Sequence, residues 1–400
     1  MKRMAGALLA LMMLALLLTS CWNRRELDTL GIALGIGIDK QDGEYIVSAQ
    51  LANVSAVAAK KGGSTAAPVL VVQEKGRVLL EAFRRMTVQI PRKVYLSHMR
   101  ILVISEEVAR DGLKYLLDLS RDHEIRGDFY VVIARNTSAH HVLEVITPFE
   151  RMPANKLFKA LEHSEKNWAP TRGVLLNDFL QQTFLIGKEP VLPGVTVQNP
   201  GQSANKVDNT QKTSDLTITK FTTLGVFKKD KLIGWLNEEE SKGFNYITGN
   251  ISSTIGIAPC PDGGSIGLEV KRADSSVTGH FRNGKPEIRI DISVDVNVAE
   301  AACNIDLINP EVIARVERDA EKSFSDLLRA SVYKAQRIFR SDIFGFGKAL
   351  HKADFAEWKK IKSRWTAIYP DVPVHITTKV SLNETGTQLN SYLKFYEKEE

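Results

Sequence analysis

From residue 287 to 298 the chain places an apolar side chain at every second position, Ile288, Ile290, Ile292, Val294, Val296 and Val298, with Arg289, Asp291, Ser293, Asp295 and Asn297 between them. A strand turns successive side chains to opposite faces, whereas a helix would scatter these six around its circumference. The segment is therefore a strand with one dry face. Segments 216–227, 231–236, 265–271 and 276–282 follow the same period, which predicts an antiparallel sheet solvated on its other face. Pro310 then opens a helical stripe of Val312, Val316, Ala320, Phe324, Leu327, Leu328, Val332, Ala335, Ile338 and Phe339, about eight turns long. A last strand is predicted over 374–382.

The first half is built differently. Segments 30–39 and 44–51 read as a hairpin about Asp42-Gly43, and then helix and strand alternate: helix in 73–88, strand 100–105, helix in 106–122, strand 129–134, helix 138–146 behind a serine cap. Two more helices are predicted over 153–166 and 172–184. The fold class is α+β and multi-domain, a mixed sheet with helices in the N-terminal half and an antiparallel sheet plus a long amphipathic helix in the C-terminal half. Residues 200–215, rich in Asn, Gln, Ser and Thr, read as a linker. The domains are then 21–199 and 216–396, the second dividing near residue 300.

Residues 1–20 stand apart. Lys2 and Arg3 precede an apolar run over 5–18 broken only by Gly6. Fourteen residues at ~1.5 Å rise fall short of ~30 Å of hydrocarbon, so this is an export signal and not a membrane span. It ends Leu18-Thr19-Ser20-Cys21, which resembles the bacterial lipobox; Cys21 would be acylated through its sulfur and become the first mature residue. The alternative is a plain secretory signal with an incidental cysteine. Two or three acyl chains at ~0.8 kcal/mol per methylene anchor stably. The body would then lie on the outer face of the cytoplasmic membrane, away from cytosolic ATP, nicotinamide cofactors and nucleic acid. With 44% hydrophobic and 25% charged residues and a formal charge of +6, composition adds little. Three cysteines exclude a disulfide framework, and Cys260, in a Pro-Cys-Pro turn, and Cys303 are expected to be unpaired.

The residues after the leader resemble a known family. Cys21-Trp22-Asn23-Arg24-Arg25-Glu26-Leu27, the glycine-punctuated strand to Ile38-Asp39-Lys40, Ser97-His98-Met99-Arg100, and Leu224-Gly225-Val226-Phe227 running to Gly234-Trp235-Leu236 resemble the Ger(x)C family, the C-subunit lipoproteins of spore germinant receptors. So do Lys334-Ala335-Gln336, Ser341-Asp342-Ile343-Phe344-Gly345-Phe346-Gly347, His351, Trp358 and Trp365. The match runs from Cys21 to Gly386. It implies a non-enzymatic accessory subunit that works with a polytopic A subunit and a permease-like B subunit in the spore inner membrane, where nutrients trigger germination. A solute-binding lipoprotein serving a permease is the alternative, although that class is usually built from two similar lobes.

No chemistry-bearing motif competes with this reading. Gly35-Ile36-Gly37 lacks the third glycine of a dinucleotide loop, Gly345-Phe346-Gly347-Lys348 lacks the first glycine and the Ser/Thr of a P-loop, and no G-x-S-x-G elbow occurs. His140 and His141 are adjacent on a predicted helix and point about 100° apart, the wrong spacing for a shared metal. No cofactor is expected. The 345–347 glycines read as a helix break that lets Phe344 and Phe346 plug apolar pockets. Residues 329–364 hold ten basic and three acidic side chains. Within them Lys359, Lys360 and Lys362 are candidates for contact with lipid headgroups or an acidic partner loop, against the plainer reading of a solvated helix face.

Overall fold

The computed structural model describes residues 29–53, 67–119, 125–201, 204–260, 263–303 and 305–384, with three positions in the leader; Cys21 and the lipobox lie outside the described residues. The first sheet takes β1 (Leu30–Gln41), β2 (Glu44–Ala52), β3 (Val69–Gly76), β4 (Lys93–Tyr95), β5 (Ile101–Ser105), β6 (Tyr130–Ala134), β7 (Val191–Gln198), β8 (Ile218–Lys228) and β9 (Lys231–Trp235). Their order is β3-β2-β1-β5-β6-β7-β8-β9, with β4 beside the start of β1. Hairpin neighbours are antiparallel and the centre, β1-β5-β6-β7, is parallel. Parallel strands must be covered on both faces, and β5 reads Ile-Leu-Val-Ile-Ser accordingly. Leu102 and Ile104 join one core, Ile101 and Val103 the other.

The helices α1 (Leu79–Gln89), α2 (Glu106–Asp111), α3 (Leu116–Leu119), α4 (Ala139–Glu144), α5 (Pro153–Asn167) and α6 (Leu176–Phe184) supply that cover. Close packing explains the glycines of β1. A Cβ on Gly35 would stand 3.0 Å from the side chains of Ala154 and Leu143, and one on Gly37 3.1 Å from Leu143.

Within the predicted linker, Asn209 is tied to the body. The buried Asn209 amide donates to Ile146 O and Thr217 O, and Thr217 N donates back to its side-chain oxygen. The amide-rich composition that suggests a solvated tether is here spent on internal bonds. The following strands, β8 and β9, extend the first sheet antiparallel to β7 instead of joining the C-terminal one. The two halves are joined by a shared sheet.

The second sheet is β10 (Thr254–Pro259), β11 (Ser265–Arg282), β12 (Lys285–Ala301) and β13 (Val374–Glu384), in that order. It is antiparallel except for β12 and β13, which run parallel. The sequence pattern misses this because period alone carries no strand direction; the helical crossover from 310 to 371 returns the chain to the same end of the sheet. Between the two sheets lies α7 (Glu238–Ile247), started by an Asn237–Glu240 capping box and buried nearly all round. It packs with α8 (Pro310–Tyr333) through a close contact of Gly243 and Ser331.

Helix α8 buries Val316, Ala320, Phe324, Leu328 and Val332, as its stripe predicts. Residues 334–339 then wind as a π-helix, and Ile338, on the expected stripe, is exposed. A wider turn rotates the stripe out of phase. The same helix closes a sheet edge: Glu317 accepts from Leu382 N at 2.8 Å and Glu321 from Val380 N at 3.2 Å, which blocks pairing along β13.

Cys260 and Cys303 are bonded, against expectation, with Cα atoms 6.4 Å apart. Registry explains it. Cys260 N bonds Gly264 O at the β10–β11 turn, and Ala302 N bonds Ser265 O where β12 ends beside it. The bridge closes a separation of 43 residues, so replacing both cysteines by serine should cost about 3–4 kcal/mol in urea unfolding, and reductant should cost the parent the same. No helix among the described residues is long and apolar enough to cross a membrane.

Candidate functional site at the sheet junction

Where α8 ends, the chain turns through Arg340 at φ 51° and Gly345 at φ 82° before α9 (Phe346–Ala353), α10 (Phe355–Ile361) and α11 (Trp365–Ile368). Asp342 organises this turn. Its Oδ1 accepts from Gly345 N and Phe346 N at 2.9 Å; its Oδ2 accepts from Gly347 N at 2.8 Å and Trp365 Nε1 at 3.0 Å. Burial pushes the Asp342 carboxyl up to about 6 while the four N–H donors pull it down. At neutral pH it is a carboxylate whose two oxygens are both doubly used.

The turn also fastens the two halves. Ser341 Oγ donates to Phe227 O on β8 at 2.7 Å, Glu189 N donates to Asp342 O at 2.8 Å, and Lys348 N to Gly187 O at 3.1 Å. A Cβ on Gly347 would come within 2.5 Å of Gly187 Cα, so this crossing needs both glycines. Phe344 and Phe346 stack at 5.2 Å, and Trp358 meets Trp365 edge-on at 5.3 Å beneath them. The helix break with two plugging phenylalanines is found as the sequence predicts.

Beside the turn opens a cleft of about 440 Å³. Leu113, Lys114 and Leu117 form one side, Phe179 to Glu189 another, the β8–β9 turn at Lys229 and Asp230 a third, and Arg340, Trp365 and Tyr369 close it from the C-terminal half. Its carboxylates are occupied: Glu189 accepts from Lys229 N at 2.6 Å, Asp230 from Lys114 N at 3.2 Å, and Asp342 as described. Lys188 is held below the usual lysine range by burial, with Arg172 and Lys348 adding repulsion. Sequence reasoning points to neither Asp342 nor Lys188 as a site. An Asp three residues before a glycine is the one legible hint of the turn.

A second polar cluster lies on the first sheet. Asp39 accepts from Ala139 N and His140 N at the start of α4, and His140 sits between Ser48 Oγ at 3.1 Å and Glu144 at 3.4 Å. The Ser-His-Glu order resembles a nucleophilic triad, but Ser48 has no exposed surface and presents no oxygen to a substrate. His141 is on the same helix, bonded near Thr137. Of the sequence-predicted lysines, Lys359, Lys360 and Lys362 are exposed on and just after α10. Lys360 pairs with Glu357 at 2.5 Å, while Lys359 and Lys362 have no ion pair among the described residues.

Both halves of this α+β architecture match one class of protein. Residues 23–197 match the spore germination protein N-terminal domain, and residues 222–386 match the family described as spore germination B3/GerAC like, C-terminal. The chain belongs to this spore germination family. It is 30% identical over 397 residues to spore germination protein KC of Bacillus subtilis (strain 168), covering 96% of this chain and 97% of that one. Spore germination protein B3 of the same organism is 23% identical, over 93% of this chain and 96% of that protein. The crystal structure of the GerBC protein shares the fold, with a TM-score of 0.53 at 17% identity, covering 86% of this chain and 96% of that one.

Two outcomes follow from the geometry. Asp342→Asn sets an amide NH₂ against N–H donors in a buried turn and should cost about 2–4 kcal/mol in chemical denaturation, with Trp365 emission shifting to the red. The His140–Glu144 pair gives a pH window. Its Glu144 partner raises His140 above its ordinary 6.5, so that contribution is full below 6.5 and is lost as pH rises through the folded value. Glu144 is held below 4.5 by His140, so its share is full above 4.5 and fades as pH falls further. Glu144→Gln should therefore cost ~0.5 kcal/mol near pH 5.5 and almost nothing at pH 8.5.

Proposed function

We propose that the protein is the C-type accessory subunit of a spore nutrient germinant receptor, acylated at Cys21 and carried on the outer face of the spore inner membrane. It assembles there with a polytopic A subunit and a permease-like B subunit and has no chemistry of its own. The observation that carries this reading is the relationship to spore germination protein KC along nearly the whole length of both chains. The leader ending in Leu18-Thr19-Ser20-Cys21 supports the anchor. On α10, Phe355 is 64% exposed and shares a helical face with Lys359, one turn on, with Lys362 exposed just past the helix end, an aromatic-and-lysine pattern suited to anionic headgroups.

Growth with labelled palmitate should label the parent and not Cys21→Ala, and spores carrying Cys21→Ala should lose the nutrient response of that receptor while still germinating through others. Unlabelled parent protein, or a full response from the variant, refutes the anchored-subunit reading. Replacing Lys359 and Lys362 by glutamine should weaken binding to phosphatidylglycerol vesicles by ~1 kcal/mol per lysine; Lys360→Gln alone should do less, because Glu357 already neutralises it.

A further inference from the structure

The cleft at the sheet junction combines apolar walls with cations that have no ion pair among the described residues. Its walls are apolar: Leu117, Leu180 and Tyr369 line it, and Phe184 and Ile186 stand at its mouth 63% and 54% exposed. Large apolar side chains left in water around a concavity mark a site that covers them when filled. Its charges are not balanced. Each carboxylate that lines it already accepts from N–H groups, Asp342 from the Trp365 indole as well as from the backbone, whereas Lys114, Lys188, Lys229 and Arg340 make no ion pair among the described residues.

We propose that the junction cleft binds a small amphiphilic anion, an aromatic or branched aliphatic body bearing one carboxylate or phosphate, with its charge on Lys188 and the neighbouring cations. A volume of about 440 Å³ lies within the ~300–1,000 Å³ of small-ligand sites. Lys188 is the half-buried member of the cation set, the deepest of the four; burial and the nearby Arg172 and Lys348 disfavour its charge, partly offset by Asp342 and Asp178, and a bound anion adds to that offset. The remaining cations stand at the rim. Because the cleft is walled by both halves of the chain, a bound anion bridges them directly beside the Asp342 turn.

This inference is independent of the receptor assignment and is tested on the full-length protein in a neutral detergent, by titration calorimetry and by the emission of Trp365, which lines the cleft. Phenylpropionate, isocaproate and phenyl phosphate are the anionic probes, the first two against the third separating carboxylate from phosphate. Phenylpropanol and phenylpropylamine are the uncharged and cationic counterparts, and inorganic phosphate is the bare anion. At least one amphiphilic anion should bind tenfold or more tightly than all three controls. Lys188→Gln should weaken it at least tenfold, Lys229→Gln severalfold, and Thr183→Trp, which fills the cleft, should abolish it with the unfolding midpoint unchanged. Failure of every anionic probe to bind, equal binding of phenylpropanol or of inorganic phosphate, or binding untouched by both Lys229→Gln and Thr183→Trp overturns the proposal. A failed palmitate label bears on the anchor alone.

Discussion

One buried carboxylate sets the relation between the two halves of this molecule. Asp342 receives three backbone N–H donors from the turn and a fourth from the Trp365 indole, and that turn carries the bonds from Ser341 to β8 and from Lys348 to the 187–189 loop. A buried charge with every lone pair engaged is tolerated; the same charge with one donor removed is costly. The turn is thus held in one arrangement, and the Phe344–Phe346 stack, the Trp358–Trp365 contact and the cleft beside them take their positions from it.

The rest of the architecture limits motion in the same place. Continuous pairing of β7 with β8 runs the first sheet past the boundary between the two family domains, and α7 fills the space between the sheets with almost no exposed face. Two domains joined by a flexible tether would be expected to move as separate bodies. Here packed backbone connects the two halves directly.

Much of the fold is legible in the residues because local rules decide it. The alternation of Ile288 to Val298, the α8 stripe up to Val332, the double burial of Ile101 to Ile104 and the glycine break at 345–347 are each dictated by side-chain direction or backbone freedom within a few positions. Other features depend on what lies alongside. The Asn209 bonds turn an apparent linker into a packed crossing, the register of β10, β11 and β12 brings Cys260 to Cys303, and the π-helix at 334–339 turns Ile338 outward. Ile146 is 63 residues from Asn209, and Cys303 is 43 from Cys260.

By itself, the order of residues determined the α+β class, the family and the faces of the long helix and strands, since each rests on local pattern or on matched motifs. Only the tertiary structure decided the parallel pairing of β13, the disulfide, the role of Asp342 and the cationic cleft. These depend on which distant groups meet and on which charges are already used, and a hydrogen bond from Trp365 to Asp342 or from Lys229 to Glu189 leaves no mark on the spacing of either residue.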